Sequence, residues 1–391
     1  MDKMTYNKEP LNNHLEIWKH TNVNVFKDYK LKLKLNDKNI KPSYNSNEII
    51  IYNGKVIKYG KYIKNKKIQI YNTVDAFKNN INNFKKIFNT STPKSKNIYL
   101  DYNTLNYDKG YYIYIPKNTK LDKPIIIKNI NDQGNEKLFS NYRNFIYCED
   151  NVNATIFNEE IFPIQQCINI VCESYLNKNS QLEIINYNEK PQTKQIYHFS
   201  ACINNNSKLY YHGLNTSSHM LKNNYYFNLN QPGSECFFNG LNIASNKEHH
   251  DNYIEIHHNS PYTISNINYK IIANKNAKSI VFPKSVINEN SHHSEAYQKN
   301  NNLILSDKAM IHSNPQLEIY NDDVKCSHGS ATGQIDEEAI HYMRTRGINE
   351  KNAKQLILNS FINKVIEKIS HDNIQKIIKE KIKNLILENV D

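Results

Sequence analysis

The chain has 391 residues, 39% of them hydrophobic and 23% charged, enough for two or three domains with a sizeable core and too mixed for a membrane-embedded bundle or a disordered polymer. Its formal net charge of +12 is confined to residues 1–105, where 20 lysines face 8 acidic side chains. Asn, Lys, Ile and Tyr dominate, as an AT-rich genome would dictate, and no recognition-helix, RNP-like or zinc-knuckle pattern accompanies the basic stretch; nucleic acid is therefore not an expected partner, and a solvated Lys-rich face is.

The opening MDKMTYNKEPLNN is polar and lacks the apolar run of a secretory signal. No uninterrupted apolar stretch approaches the ~20 residues of a membrane helix, so a soluble, cytoplasmic protein is expected, with no membrane partner. Residues 1–105 read as a mixed α/β module. NEIIIYNGKVIKY sets two β-prone runs around Asn53-Gly54, a strong hairpin signal. Ala76, Phe77, Asn80, Ile81, Phe84, Ile87 and Phe88 fall on one helical face, and Ser91-Thr92-Pro93-Lys94-Ser95 reads as a linker.

Over residues 106–335 helical periodicity disappears, and short Ile/Tyr/Val/Phe runs alternate with Asn-rich breaks. A small residue, usually after Asn, precedes an apolar run at Asn153-Ala154, Asn179-Ser180, Asn206-Ser207, Gly233-Ser234 and Asn259-Ser260, with less regular copies at Asn276-Ala277 and Lys308-Ala309. The regular copies recur every 26 or 27 residues; an even period of this size marks a repeat architecture, and strand-type runs without helices point to a parallel β-helix, each coil sharing its core with the next. Asn suits the corners because it tolerates the left-handed region. Residues 336–391 read as a helical domain. Asp336-Glu337-Glu338 starts it and Gly347 ends its first helix. Two further apolar stripes follow: Ala353, Leu356, Ile357, Phe361, Val365 and Ile369, then Ile374, Ile377, Ile378, Ile382, Leu385 and Ile386.

Six cysteines stand at 148, 167, 172, 202, 236 and 326. Without CxxC pairs they suggest neither structural zinc nor a disulfide framework, and Cys148, Cys167, Cys172 and Cys202 read as core residues. Cys326-Ser327-His328 differs. Two apart on a strand, Cys326 and His328 share a face, and an imidazolium beside the thiol would favour the metal-binding thiolate. Sulfur and imidazole both suit iron–sulfur ligation. Two ligands cannot complete a cluster, so the rest must come from a partner. The histidine pairs 249/250, 257/258 and 292/293 split across strand faces and read as surface residues. Neither GxxxxGK[ST] nor GxSxG occurs; no enzyme activity is expected.

Residues 315–357, PQLEIYNDDVKCSHGSATGQIDEEAIHYMRTRGINEKNAKQLI, closely resemble the C-terminal signature of the SufB/SufD family of iron–sulfur cluster assembly scaffolds. Cys326-Ser327-His328-Gly329 and Gly333-Gln334-Ile335-Asp336 are of the SufD type, and Arg344, Arg346 and Gly347 match the family's helix end. Asn300-Asn301-Asn302-Leu303 resembles its approach. Glu16-Ile17-Trp18-Lys19-His20-Thr21 resembles its N-terminal Trp motif, departing from it at His20 and at Asn22, where the family has an aromatic residue and a Pro. The N-terminus is also short for the family. The resemblance implies a mainly β protein, a right-handed parallel β-helix between an N-terminal α/β module and C-terminal helices, acting in a bacterial cytosol. It implies a non-enzymatic scaffold that joins SufB through β-helix ends and holds the ATPase SufC through its C-terminal helices. No cofactor is expected to bind stably; a nascent Fe–S cluster would form at the SufB interface, with His328 as first and Cys326 as second transient metal ligand. The alternatives are a SufB-like paralogue and a β-helix carbohydrate-active enzyme, which would need clustered carboxylates at coil spacing.

Overall fold

The computed structural model describes residues 16–22, 24, 30–31, 45–93, 97–130, 138–161 and 167–389. Strands alternate an apolar inward position with an outward one, and positive-φ corners turn the chain back on itself. Together these wind the middle of the chain into a parallel β-solenoid of about seven turns, the mainly β, parallel β-helix architecture expected. A front sheet stacks Ile125–Ile130, Asn153–Ile161, the leading halves of Gln181–Ile203 and Lys208–Leu229, then Glu235–Ala244, Ile264–Ala273, Ser294–Ile304 and Val324–Gly333. A back sheet stacks Tyr111–Ile115, Leu138–Cys148, Cys167–Leu176, the trailing halves of the same two long strands, His249–His258 and Lys278–Ile287.

The corner column explains the repeat. Asn118, Asn151, Asn179, Asn206, Gly233, Tyr262 and His293 all have φ between 54° and 72°. Asn151, Asn179 and Asn206 each donate their N–H to a carbonyl of the next coil, at Lys178, Asn205 and Pro232. Asn179-Ser180, Asn206-Ser207 and Gly233-Ser234 therefore occupy equivalent corners. Asn153-Ala154 lies two residues past its corner and Asn259-Ser260 three before, because the coils lengthen: Gln181 pairs with Lys208, but Ile264 pairs with Glu295. Asn276-Ala277 follows Lys275 at the opposite corner, where Asn246 and Lys275 carry the positive φ.

Inward positions stack in register. Ile184, Tyr211, Phe238 and Ile267 succeed one another in one continuous apolar core. At Gly240 a Cβ would lie 2.1 Å from the Tyr269 ring, so only glycine admits that ring.

The hairpin forms as expected, Glu48–Tyr52 against Lys55–Tyr59, with Asn53 and Gly54 both at positive φ. Its first strand also pairs in parallel with Ile125–Ile130, so it covers the starting end of the front sheet. Gln69–Asn72 does the same for the back sheet, antiparallel to Tyr111–Ile115. The continuous helix expected around 76–88 is broken: Asn80 and Asn82 adopt φ near +50° and separate Thr73–Lys78 from Phe84–Ile87. Ser91, expected in a linker, is instead buried, its hydroxyl donating to Glu173 at 3.0 Å; Lys94 and Ser95 lie outside the described residues. Trp18 is buried against Tyr99, and the Thr21 hydroxyl donates to Asp251 at 2.5 Å, fastening the N-terminal motif to the back sheet.

Glu337–Thr345, Glu350–Ile366 and Asp372–Asn389 form the C-terminal helices. Asp336 caps the first by accepting the N–H groups of Glu338 and Ala339, and Gly347 follows it with φ +86°. Leu358, Ile362, Val365, Ile366, Ile374, Ile378 and Ile382 pack on outward residues of the front sheet, among them Phe157, Ile185 and Leu241. The expected stripe is rotated: Leu356 and Ile377 are exposed rather than buried, because the sheet selects the face carrying Leu358, Ile362 and Ile366.

Candidate functional site

The last front-sheet strand, Val324–Gly333, pairs on one side with Ser294–Ile304 and, among the described residues, has no partner on the other. Its free edge presents a row of backbone donors and acceptors. Cys326 stands in register with Ala296 and His328 with Gln298; Ala296, Gln298, Asn300 and Asn302 are the buried, lumen-facing positions of the preceding coil. Cys326 and His328 therefore share a face, as alternation requires, and that face lies at the open mouth of the solenoid. Cys326 is half-buried and His328 exposed.

The mouth is polar. The Gln298 amide donates to Ser285 Oγ at 2.8 Å and to the Gln316 carbonyl at 2.9 Å. Asn302 donates to Thr332 Oγ1 at 3.0 Å, and Ser330 Oγ donates to Ser313 Oγ at 2.9 Å. Gln298 Oε1 and Asn302 Oδ1 are buried without a hydrogen-bond partner. The exposed side chains of Met310, Ile319 and Tyr320 lie on the same last coil. Apolar side chains beside unsatisfied backbone and amide groups describe a surface suited to strand-on-strand contact with another protein.

Partial burial pushes the Cys326 thiol up from its ordinary range, with a hydrogen bond to the Ala296 backbone acting in the opposite sense. The expected thiolate-favouring effect of His328 is not what governs it; desolvation at the rim outweighs the neighbour. Deprotonation at this position must accompany metal binding. No group of three or more His, Cys, Asp or Glu side chains able to hold a metal occurs among the described residues, so this pair could supply at most two ligands. The other five cysteines are buried, and burial lifts Cys172 to about 12 and Cys202 to about 11, which leaves them protonated.

The histidine pairs do split across faces, but not all are surface residues. His250 is fully buried between Asn242 Oδ1 and the Ser218 carbonyl, each at 2.8 Å. His258 is fully buried between the hydroxyls of Thr263 and Ser265. Polar neighbours make each inward imidazole tolerable in the core: the two hydroxyls can serve both nitrogens of His258, whereas the neutral His250 ring can donate to only one of its two acceptors. His292 and His293 are exposed, as expected. The polar lining was the part of the site that sequence reading missed. Asn300 and Asn302 stand in the motif, but their role follows only from their even spacing with Gln298 and register with His328.

The description "SUF system FeS cluster assembly, SufBD core domain" matches residues 129–361, more than half of the chain and the whole of the mouth. An iron–sulfur cluster assembly SufBD family protein of Synechocystis is 26% identical over 289 residues, covering 71% of this chain and 64% of that protein. Iron–sulfur cluster assembly protein SufD of Escherichia coli is 25% identical over 276 residues, 68% of this chain and 64% of its own length. The chloroplastic protein ABCI7 of Arabidopsis thaliana is 25% identical over 285 residues, 70% and 60% respectively. The chain thus aligns with somewhat less than two thirds of each relative. Among the described residues no helix is long and apolar enough to cross a membrane. A parallel β-solenoid ending in Cys326-Ser327-His328 and followed by helices is the architecture that these matches span, and the chain belongs to the SufBD core family of SUF-system iron–sulfur cluster assembly proteins.

Proposed function

We propose that this chain is a SufD-like, non-enzymatic scaffold that pairs with SufB through the open solenoid end and completes a shared site for nascent iron–sulfur clusters. The observation that carries this reading is the pairing of Cys326 and His328 on the lumen face of an edge strand that is open on one side. A SufB edge strand would satisfy the free backbone groups, and SufB side chains would supply the ligands that two residues cannot. The cluster is the cargo of the scaffold and leaves it. His328 is the stronger ligand candidate because its imidazole is exposed, whereas Cys326 must first lose its proton against the cost of burial.

The C-terminal helices are the proposed seat of the ATPase SufC. Tyr342, Leu356 and Ile377 leave their apolar side chains exposed on these helices, beyond what the front sheet covers.

The test is co-expression with SufB and SufC, anaerobic purification and reconstitution with iron and sulfide. His328→Ala is expected to leave the complex assembled while reducing the cluster absorption by an order of magnitude; normal cluster yield would reject the site. Tyr342→Ala combined with Leu356→Glu is expected to abolish SufC co-purification and leave SufB bound, and retention of SufC would reject the docking assignment.

A further inference from the structure

Four lysines gather on the outer face of the front sheet, where its last coils meet the C-terminal helices. Lys270 is almost fully buried, 5% exposed. Its ammonium donates to the Phe361 carbonyl at 2.7 Å and sits 4.0 Å from the centre of the Phe361 ring, which fixes it at the foot of the helix Glu350–Ile366. Lys299 lies on the neighbouring strand, and Lys364 and Lys368 come from the helix and the residues just after it. None of the four forms an ion pair among the described residues. Burial first, then the charges of Lys364, Lys299 and Lys368, push Lys270 down to about 8.

Beside this cluster runs an open groove of about 590 Å³, into which Lys299 and Lys368 project together with the side chains of Asn266, Asn268 and Asn301. Gly329, in register with Lys299, leaves open space in this groove where a side chain would stand. Glu295, on the same strand as Lys299, is already engaged by the Tyr297 hydroxyl at 3.1 Å and by Lys325 at 3.3 Å.

We propose that this groove is a binding site for a phosphate-bearing anion of up to mononucleotide size. Holding like charges together and one of them out of water costs free energy that the folded chain does not recover from any carboxylate of its own. An anion supplies the missing counter-charge, and asparagine amides at the wall donate to its oxygens. A Lys-rich composition explains lysines in solvent; it does not explain a buried one clamped by a carbonyl beside three others. The volume falls within the range of small-molecule sites. The groove shares a wall with the proposed docking strand, since Ser327, His328, Gly329, Ser330 and Ala331 also line it; anion binding here therefore extends the proposed function, and binding by the isolated chain is read separately from cluster assembly.

Calorimetry on the full-length purified chain tests this with two probes, inorganic pyrophosphate and ATP without magnesium. Saturable one-to-one binding of at least one of them is expected. In Lys299→Ala/Lys368→Ala, both at exposed or rim positions, affinity should fall roughly tenfold or more, while Lys308→Ala, away from the groove, should bind as the parent does. Equal affinity for the two probes would identify a free oxyanion as the ligand, and tighter ATP binding would identify a nucleotide. Absence of saturable binding, or an unchanged affinity in the double variant, would overturn the proposal. A crystallographic contact of the bound probe with Asn266 or Asn268 in the parent chain provides a second readout should the double variant prove unstable.

Discussion

Arg143 and Glu173 are both fully buried, and they meet inside the wall of the solenoid. The guanidinium Nε reaches the carboxylate at 3.1 Å; the same group donates to Thr104 and Asn89 and lies over the Phe88 ring. Glu173 also accepts from Ser91. One ion pair thus ties two separate stretches of the N-terminal module, 88–91 and Thr104, to the back sheet. Glu173→Gln would strand a buried guanidinium, and a loss of about 3–5 kcal/mol is expected, read from the denaturation midpoint. A loss below about 1 kcal/mol would show that water reaches the pair. Nothing in the sequence announces this contact, because a lone Arg and a lone Glu thirty residues apart carry no periodic signal. Cys326 and His328 were legible for the opposite reason: two residues apart on a strand, their common face is fixed by local geometry.

At the scale of elements, the junction between the second and third C-terminal helices depends on Glu183. Its carboxylate accepts from the Ser370 N–H at 2.9 Å, from the Ser370 hydroxyl, and from His212 Nε2 at 3.1 Å. These bonds hold the carboxyl below its usual range although burial alone would raise it. Ser370→Ala is expected to cost about 1–2 kcal/mol and to speed amide exchange in 372–389 selectively; uniform acceleration throughout the chain would argue against a local latch. Helix identity was readable from the apolar stripes, but helix rotation was not. Leu356 and Leu358 are equally apolar, and only the shape of the front sheet decides which is buried. The broken helix at 80–82 has a similar origin, since asparagine permits a positive φ without requiring one.

For the whole molecule, the corner period was legible where coils are equal and drifted where they lengthen, because sequence spacing counts residues while register counts strand pairs. The buried histidines give the assembly a definite acid response. Burial, the largest cause in each case, holds His198 at about 3, His250 at about 4 and His258 at about 3. Unfolding returns each to an ordinary value near 6.5, so the unfolded chain takes up protons that the folded one refuses. Their contribution is complete well above pH 6.5 and is lost as pH falls toward 3–4, by roughly 1.5 kcal/mol for each site between pH 6.5 and 5. Urea midpoints at pH 7 and pH 5 should show this slope, and His250→Asn/His258→Asn should flatten it. An unchanged slope in that variant would assign the acid response elsewhere.

The two ends of the stack are not alike. At the start, the outermost strand Lys55–Tyr59 turns Lys55 and Lys58 toward water along its rim, and charged rims of this kind repel further strands. At the finish, the ten residues of Val324–Gly333 carry a single lysine. Growth by end-to-end addition is consequently one-sided: a second solenoid can join the finish, but its own guarded start then faces outward. With docking at the finish, as proposed above, assembly along this axis is expected to stop at two bodies rather than run on into a filament.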